Sequence, residues 1–171
     1  IYNDSDCCVI GECHSTIGKL QDTKNCIYIG GGTGIADGIV INGEIIDFNI
    51  VRDVKRSWEL LIQTGETVES CLSPAGMIER YNRSSGNKIS TILELSQQKD
   101  FIHVIKKAKE AFGVLINDRV QFFEKNNSGI QKIVIGQRLG SYLKNDDHKL
   151  GKTFKSCTTI PIEFSEDRRT A

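Results

Sequence analysis

The tightest constraint on how this chain can fold is the run CIYIGGGTGIADGIVINGEII over residues 26–46. Between residues 29 and 38, five of the ten residues are glycine, flanked on each side by an apolar, β-branched segment. Glycine costs backbone entropy on folding, so this density marks backbone that must approach something without side chains in the way. The segment after the glycines alternates and β-branches, which predicts a strand. Common phosphate-binding glycine loops instead lead from a strand into a helix whose N-terminus faces the phosphate. There is also no Gly-Lys-Ser/Thr, which argues against a P-loop. What remains is a strand–glycine corner–strand. Such a corner is either a plain turn or a cradle that aims amide N–H groups at an anion, with the Thr33 hydroxyl alongside. The residues alone leave both open.

The rest of the chain sets this corner in an α/β protein. Asn3-Asp4-Ser5-Asp6 is a cluster of good N-cap residues before a helix over 7–17. Strands are predicted over 25–29, 38–41 and 44–48, the last two joined by the hairpin signal Asn42-Gly43. Residues 49–73 read as an excursion of loops, Pro74 as the start of a turn or helix, and 89–97 as a short helix. The strongest helix spans 101–125, where Ile102, Ile105, Ala108, Phe112, Leu115, Ile116 and Val120 recur every three or four residues. A strand over 132–135 stopped by Gly136, a helix over 139–144, another short helix and a last strand over 159–163 complete the series. Interleaved strands and helices define the class as α/β.

With 171 residues the chain is long enough for one domain, 1–171, with a sizeable core. Its 22 basic side chains balance 22 acidic ones, so charge gives no reason to expect nucleic acid or an anionic membrane as partner. No apolar run reaches the length of a membrane span, and no signal-peptide pattern opens the chain. Six cysteines are too sparse for a disulfide scaffold and read as reduced thiols in a cytoplasmic protein. The chain opens on Ile1 and closes on Arg168-Arg169-Thr170-Ala171, which looks like the first turn of a helix, as expected for a lobe of a longer protein.

Three segments together carry a resemblance. NDSDCCVIGE over 3–12, GTGIADGIVINGEI over 32–45 and KIVIG over 132–136 resemble, in order and spacing, the Asn-Asp…Gly-Glu segment, the GTGIGGG phosphate loop and the adenosine-side strand of ROK-family sugar kinases. The resemblance implies one RNase H-like lobe of the actin-like ATPase fold, a mixed sheet with an antiparallel hairpin meander and flanking helices. It implies the second of two lobes, with the first lobe's Asp-x-Gly-x-Thr loop and the closing C-terminal helix absent, so that the piece alone is no competent kinase. By the same resemblance, Asp4 is the catalytic base and Asn3 and Glu59 bind the sugar. Gly32, Thr33 and Gly34 hold the ATP phosphates with Mg²⁺, and Gly136 and Gln137 lie on the adenosine side. The implied ligands are ATP and a hexose or N-acetylhexosamine, and a homodimer is compatible with the family.

Each assignment has a plainer rival. Asp4 and Asn3 also serve as helix caps, and Glu59 as a surface glutamate. Asp37 replaces a glycine of the family loop and is expected to face solvent; Gln137 stands where a second glycine is usual. The family's Glu-x-Gly-His loses its histidine here. Its zinc motif CxCGxxGCxE keeps only Cys71, Gly76 and Glu79, so no structural zinc is expected from one thiolate. Cys7, Cys8, Cys13 and His14 diverge around a helix and read as buried thiols, not a metal site. His103 and His148 have no evident partner. Two functional rivals stand beside the kinase: a ROK-type transcriptional regulator with its DNA-binding segment upstream, and a catalytically weakened sugar-binding protein.

Overall fold

The structure, a computed structural model, describes residues 4–144 and 149–166. At its centre β1 (Cys26–Gly31) pairs antiparallel with β2 (Ile35–Ile41) and parallel with β4 (Lys132–Gly136). β3 (Glu44–Ile45) and β5 (Ile162–Phe164) flank them, giving the order β3-β2-β1-β4-β5. This is the expected mixed sheet with an antiparallel meander. The hairpin at Asn42-Gly43 takes positive φ at both residues, 54° and 85°, as a two-residue turn that follows strand twist requires.

Period-two alternation separates two cores on opposite faces of the sheet. Ile27, Ile29, Ile39, Ile133 and Ile135 point to the larger one. There they meet Val104, Ala108, Phe112 and Leu115, the apolar stripe of α5 (Ile102–Lys125). Cys26, Tyr28, Val40 and Val134 point the other way, against Cys8 and Val9 of α1 (Asp4–His14).

Several boundaries move from those the sequence suggests. α1 starts at Asp4 and stops at His14, so Asp4 and Asp6 sit in its first turn, where carboxylates complement the helix dipole. β2 begins at Ile35, three residues before Gly38, because pairing persists up to Gly31↔Ile35. The corner therefore shrinks to residues 32–34. β3 ends at Ile45, short of 48. The excursion over 49–73 contains α2 (Val68–Leu72), capped by Thr67. Ser73 caps α3 (Pro74–Ser85), with Pro74 in its first turn and left-handed Gly86 at its end. α4 (Ile92–Ser96) opens on a reciprocal capping box of Thr91 and Glu94. α6 (Gln137–Leu143) starts two residues early, and α7 (Lys149–Lys155) precedes β5, which lies later than 159–163.

Candidate functional site

The corner is a closed three-residue turn, in which the Gly32 amide donates to the Gly34 carbonyl at 3.0 Å. None of its glycines has a positive φ, so conformational freedom does not explain them. Close approach does. A Cβ on Gly31 would lie 2.4 Å from the Leu139 Cβ of α6, and one on Gly34 would lie 2.6 Å from the Glu69 carboxylate of α2. Glu69 also accepts the Ile35 amide at 3.1 Å. These bonds leave the Thr33 and Gly34 amides and the Thr33 hydroxyl without a partner among the described residues. A turn that offers two adjacent amides and a hydroxyl is an anion cradle.

One cavity is lined by this corner and a second by the start of β2 that follows it. The first, of about 610 Å³, is lined by Gly32 and Thr33, by Ile78 and Asn82 of α3, and by Arg138 and Tyr142 of α6. Among the described residues Arg138 is its one cationic lining residue, and Ile78, Ile92 and Tyr142 give it an apolar wall. The other, of about 400 Å³, is lined by Asp4 and Ser5 of α1, by residues 35–37 of β2, and by Arg56, Ser57 and Trp58. The Ser57 hydroxyl donates to the Ile35 carbonyl at 2.7 Å and ties this loop to the corner. Thus Gly32 and Thr33 line one cavity, and Asp4, 28 residues or more away in sequence, lines another with residues 35–37 that directly follow the turn.

The other expected residues are distributed less simply. Asn3 and His148, and the helix expected from Arg168, lie outside the described residues. Glu59 does not line the cavity that holds Asp4; its carboxylate accepts the Arg56 amide at 2.7 Å, and Arg56 lines the cavity instead. Gly136 is packed inward, because a Cβ there would lie 2.1 Å from the Tyr28 hydroxyl. Gly136→Ala is accordingly expected to cost about 1–3 kcal/mol of stability, read from a urea denaturation curve, since Tyr28 is itself buried and has little room to yield. Gln137 holds the left-handed region, φ 56°, that a glycine would occupy freely. Its side-chain amide folds back over Gly30 and Gly32 and reaches the Cys8 thiol at 3.7 Å. It lies behind the corner, and its neighbour Arg138 faces the larger cavity.

Asp37 does not face solvent. It is 7% exposed and accepts from Arg119 Nε of α5 at 2.6 Å. β2 reaches past the expected corner, so Asp37 sits mid-strand on the α5 face alongside Ile35 and Ile39. Arg119, fully buried, is also bonded to Asp118 and to the Lys55 carbonyl. Of the four residues read as buried thiols and a histidine, Cys8 is buried and Cys13 half-buried, while Cys7 and His14 are exposed. Cys71 is buried, and its thiol is raised above its ordinary pKa chiefly by that burial. His103 does have partners: it bonds Ser84 and stacks near Tyr81. Among the described residues, no group of three or more His, Cys, Asp or Glu is arranged to hold a metal, and no helix is long and apolar enough to cross a membrane.

Glu69, Arg56, Arg119 and Arg138 escape the sequence reading. Only Arg119 leaves a clear signal there, an arginine on the apolar stripe of α5.

No protein-family model and no curated protein matches the sequence. Solved structures do. A candidate sugar kinase from Cytophaga hutchinsonii superposes with a TM-score of 0.75 over 99% of this chain and 62% of that one, at 14% identity. A ROK-family glucokinase from Streptomyces griseus, solved with glucose and AMPPNP, gives 0.64 over 96% and 62%, at 17% identity. A ROK-family transcriptional regulator, a homologue of the E. coli MLC protein, gives 0.58 over 95% and 46%, at 16% identity. The chain spans roughly three fifths of the length of these two kinase chains. What it shares with them is architecture: this chain is built on the ROK, actin-like sugar-kinase fold.

Proposed function

We propose that the protein, in its full length, phosphorylates a hexose-type sugar with ATP, and that residues 1–171 form the second lobe, a single domain carrying the catalytic base and part of the nucleotide site. The observation that carries this reading is the corner itself. Its Thr33 and Gly34 amides are uncommitted; Arg138 shares a cavity with Gly32 and Thr33, and Asp4 shares one with residues 35–37 that follow them in the chain. Glucose and AMPPNP in the Streptomyces griseus glucokinase of the same fold support it.

In this reading Asp4 accepts the proton of the attacking sugar hydroxyl as its oxygen bonds to the γ-phosphorus. The bond from that phosphorus to the ADP oxygen breaks, and ADP leaves with its electron pair. Phosphoryl transfer passes through a loose transition state, so orienting the hydroxyl and stabilising charge dominate. The Thr33 and Gly34 amides, the Thr33 hydroxyl and Arg138 supply hydrogen bonds to phosphate oxygens, and the apolar wall of Ile78, Ile92 and Tyr142 suits a purine face. Gly32 lets the chain approach closely; Gly136 and Gln137 shape the cavity from behind. Mg²⁺ carried with ATP would supply charge neutralisation at the phosphates held by the Thr33 and Gly34 amides and Arg138. Asn3 bonds a neighbouring sugar hydroxyl. Glu59 acts on the sugar through Arg56, whose amide it holds.

Coupled ADP-release assays of the full-length protein over a panel of hexoses and N-acetylhexosamines test the proposal. At least one sugar is expected to stimulate release. If none does while a sugar still binds, the regulator reading, favoured by the shared fold of the MLC homologue, replaces it.

A further inference from the structure

Among the described residues, Arg56 is the one cation lining the cavity that holds Asp4. Its guanidinium lies 5.3 Å from the Phe48 ring centroid and 5.4 Å from that of Trp58, and Nη2 donates to Asn49 Oδ1 at 3.0 Å. Two rings and an amide fix the plane of the fork, so little ordering cost is left for a ligand to meet. No carboxylate among the described residues pairs with this guanidinium. Arg119, by contrast, is met by both Asp37 and Asp118. A half-buried cation that is held in place yet lacks a counter-charge favours an anionic ligand. A planar carboxylate suits it best, accepting N–H groups side by side.

Two further features orient such a ligand. Trp58 is 50% exposed and lines the same cavity, offering an indole face to the apolar face of a sugar ring. Of the two carboxylates that line the cavity, Asp37 is paired with Arg119, whereas Asp4 repels a second carboxylate, so the acid end of a sugar is turned to Arg56 and a neutral hydroxyl is left for Asp4.

We propose that this cavity selects a hexose bearing a carboxylate, a hexuronate, with Arg56 as the specificity-determining residue and Trp58 as the platform for the ring. The proposal rests on the reading of the Asp4 cavity as the sugar site.

Isothermal titration calorimetry of the full-length protein with glucuronate, its methyl ester, glucose and glucosamine tests it. Glucuronate is expected to bind roughly tenfold or more tighter than glucose, a difference of about 1.4 kcal/mol. The methyl ester, which keeps the shape without the charge, is expected to fall to the level of glucose, and glucosamine below it. Arg56→Gln is expected to remove the preference for glucuronate. Equal affinity for glucuronate and glucose overturns the proposal, as does an ester that binds like the acid or a preference that survives R56Q. Phosphoryl transfer is measured separately. Arg56-dependent glucuronate binding without ADP release leaves selectivity standing and sinks the kinase reading. ADP release with glucose and none with glucuronate does the reverse.

Discussion

Asp4→Asn in the full-length protein is expected to lower kcat by roughly 10²-fold to 10⁴-fold, the usual worth of a positioned general base. Asparagine keeps the size of the side chain and one carbonyl oxygen that can hold the sugar hydroxyl, but it cannot take the proton. KM for the sugar is therefore expected to change little, and the loss falls on the transition state. Asp4 is exposed in the first turn of α1, beside the cavity lined by Arg56 and Trp58, so the substitution leaves the core untouched. A capping role gives a different signature. The acidic side chain then stabilises only the helix N-terminus, and asparagine lowers the melting temperature slightly with kcat unchanged. Coupled ADP release at saturating ATP, beside a thermal melt of the same preparation, separates the two. Unchanged turnover with a lowered melting temperature ends the catalytic assignment.

How much of this was legible in the sequence follows from which interactions are local. The strand–corner–strand and the Asn42-Gly43 hairpin depend on residues adjacent in sequence, and alternation and turn chemistry report them directly. α5 announces itself through its stripe because helical periodicity survives over 24 residues. What could not be read is what arrives from elsewhere in the chain. Gly31 and Gly34 are glycines because Leu139 and Glu69, more than thirty residues away, press against them. Glu69 hides in a five-residue helix too short to show a period. Arg56 reaches the cavity from a loop whose course depends on Ser57 bonding β2 and on stacking with Phe48 and Trp58. Glu59 is suggested by the family resemblance, and the sequence does not show that its carboxylate accepts the backbone amide of Arg56. Asp37 and Arg119 are the instructive pair. Asp37 shares a strand face with Ile35 and Ile39, and Arg119 shares a helix face with Leu115 and Phe122. A charge on an apolar face needs a partner, and each was the other's.

That pair sets the largest expected effect on stability. Arg119→Met is expected to cost about 3–5 kcal/mol, because it leaves the carboxylate of Asp37 buried with no counter-charge. For a domain of ordinary stability, about 5–15 kcal/mol, this is a large share of the total. Asp118 loses a partner as well, and burial already pushes its carboxyl above the ordinary aspartate range, so the loss deepens at neutral pH, where it must stay ionised or take up a proton. Removing both buried charges together changes the balance. Asp37→Val with Arg119→Met deletes the ion pair along with the cost of burying it, and Val suits a strand position between Ile35 and Ile39. The double variant is therefore expected to recover most of what R119M loses, which equilibrium urea denaturation of the single and double variants measures as a coupling energy. Additive losses would mean that Arg119 acts mainly through the Lys55 carbonyl and Asp118. Recovery would make the pair a clamp between β2 and α5 that holds the corner to the core. The same double variant then asks whether the site needs that clamp's charge, since Asp37 also lines the cavity of Asp4. Restored stability with lost sugar binding would assign Asp37 a second role, as an acceptor within the site.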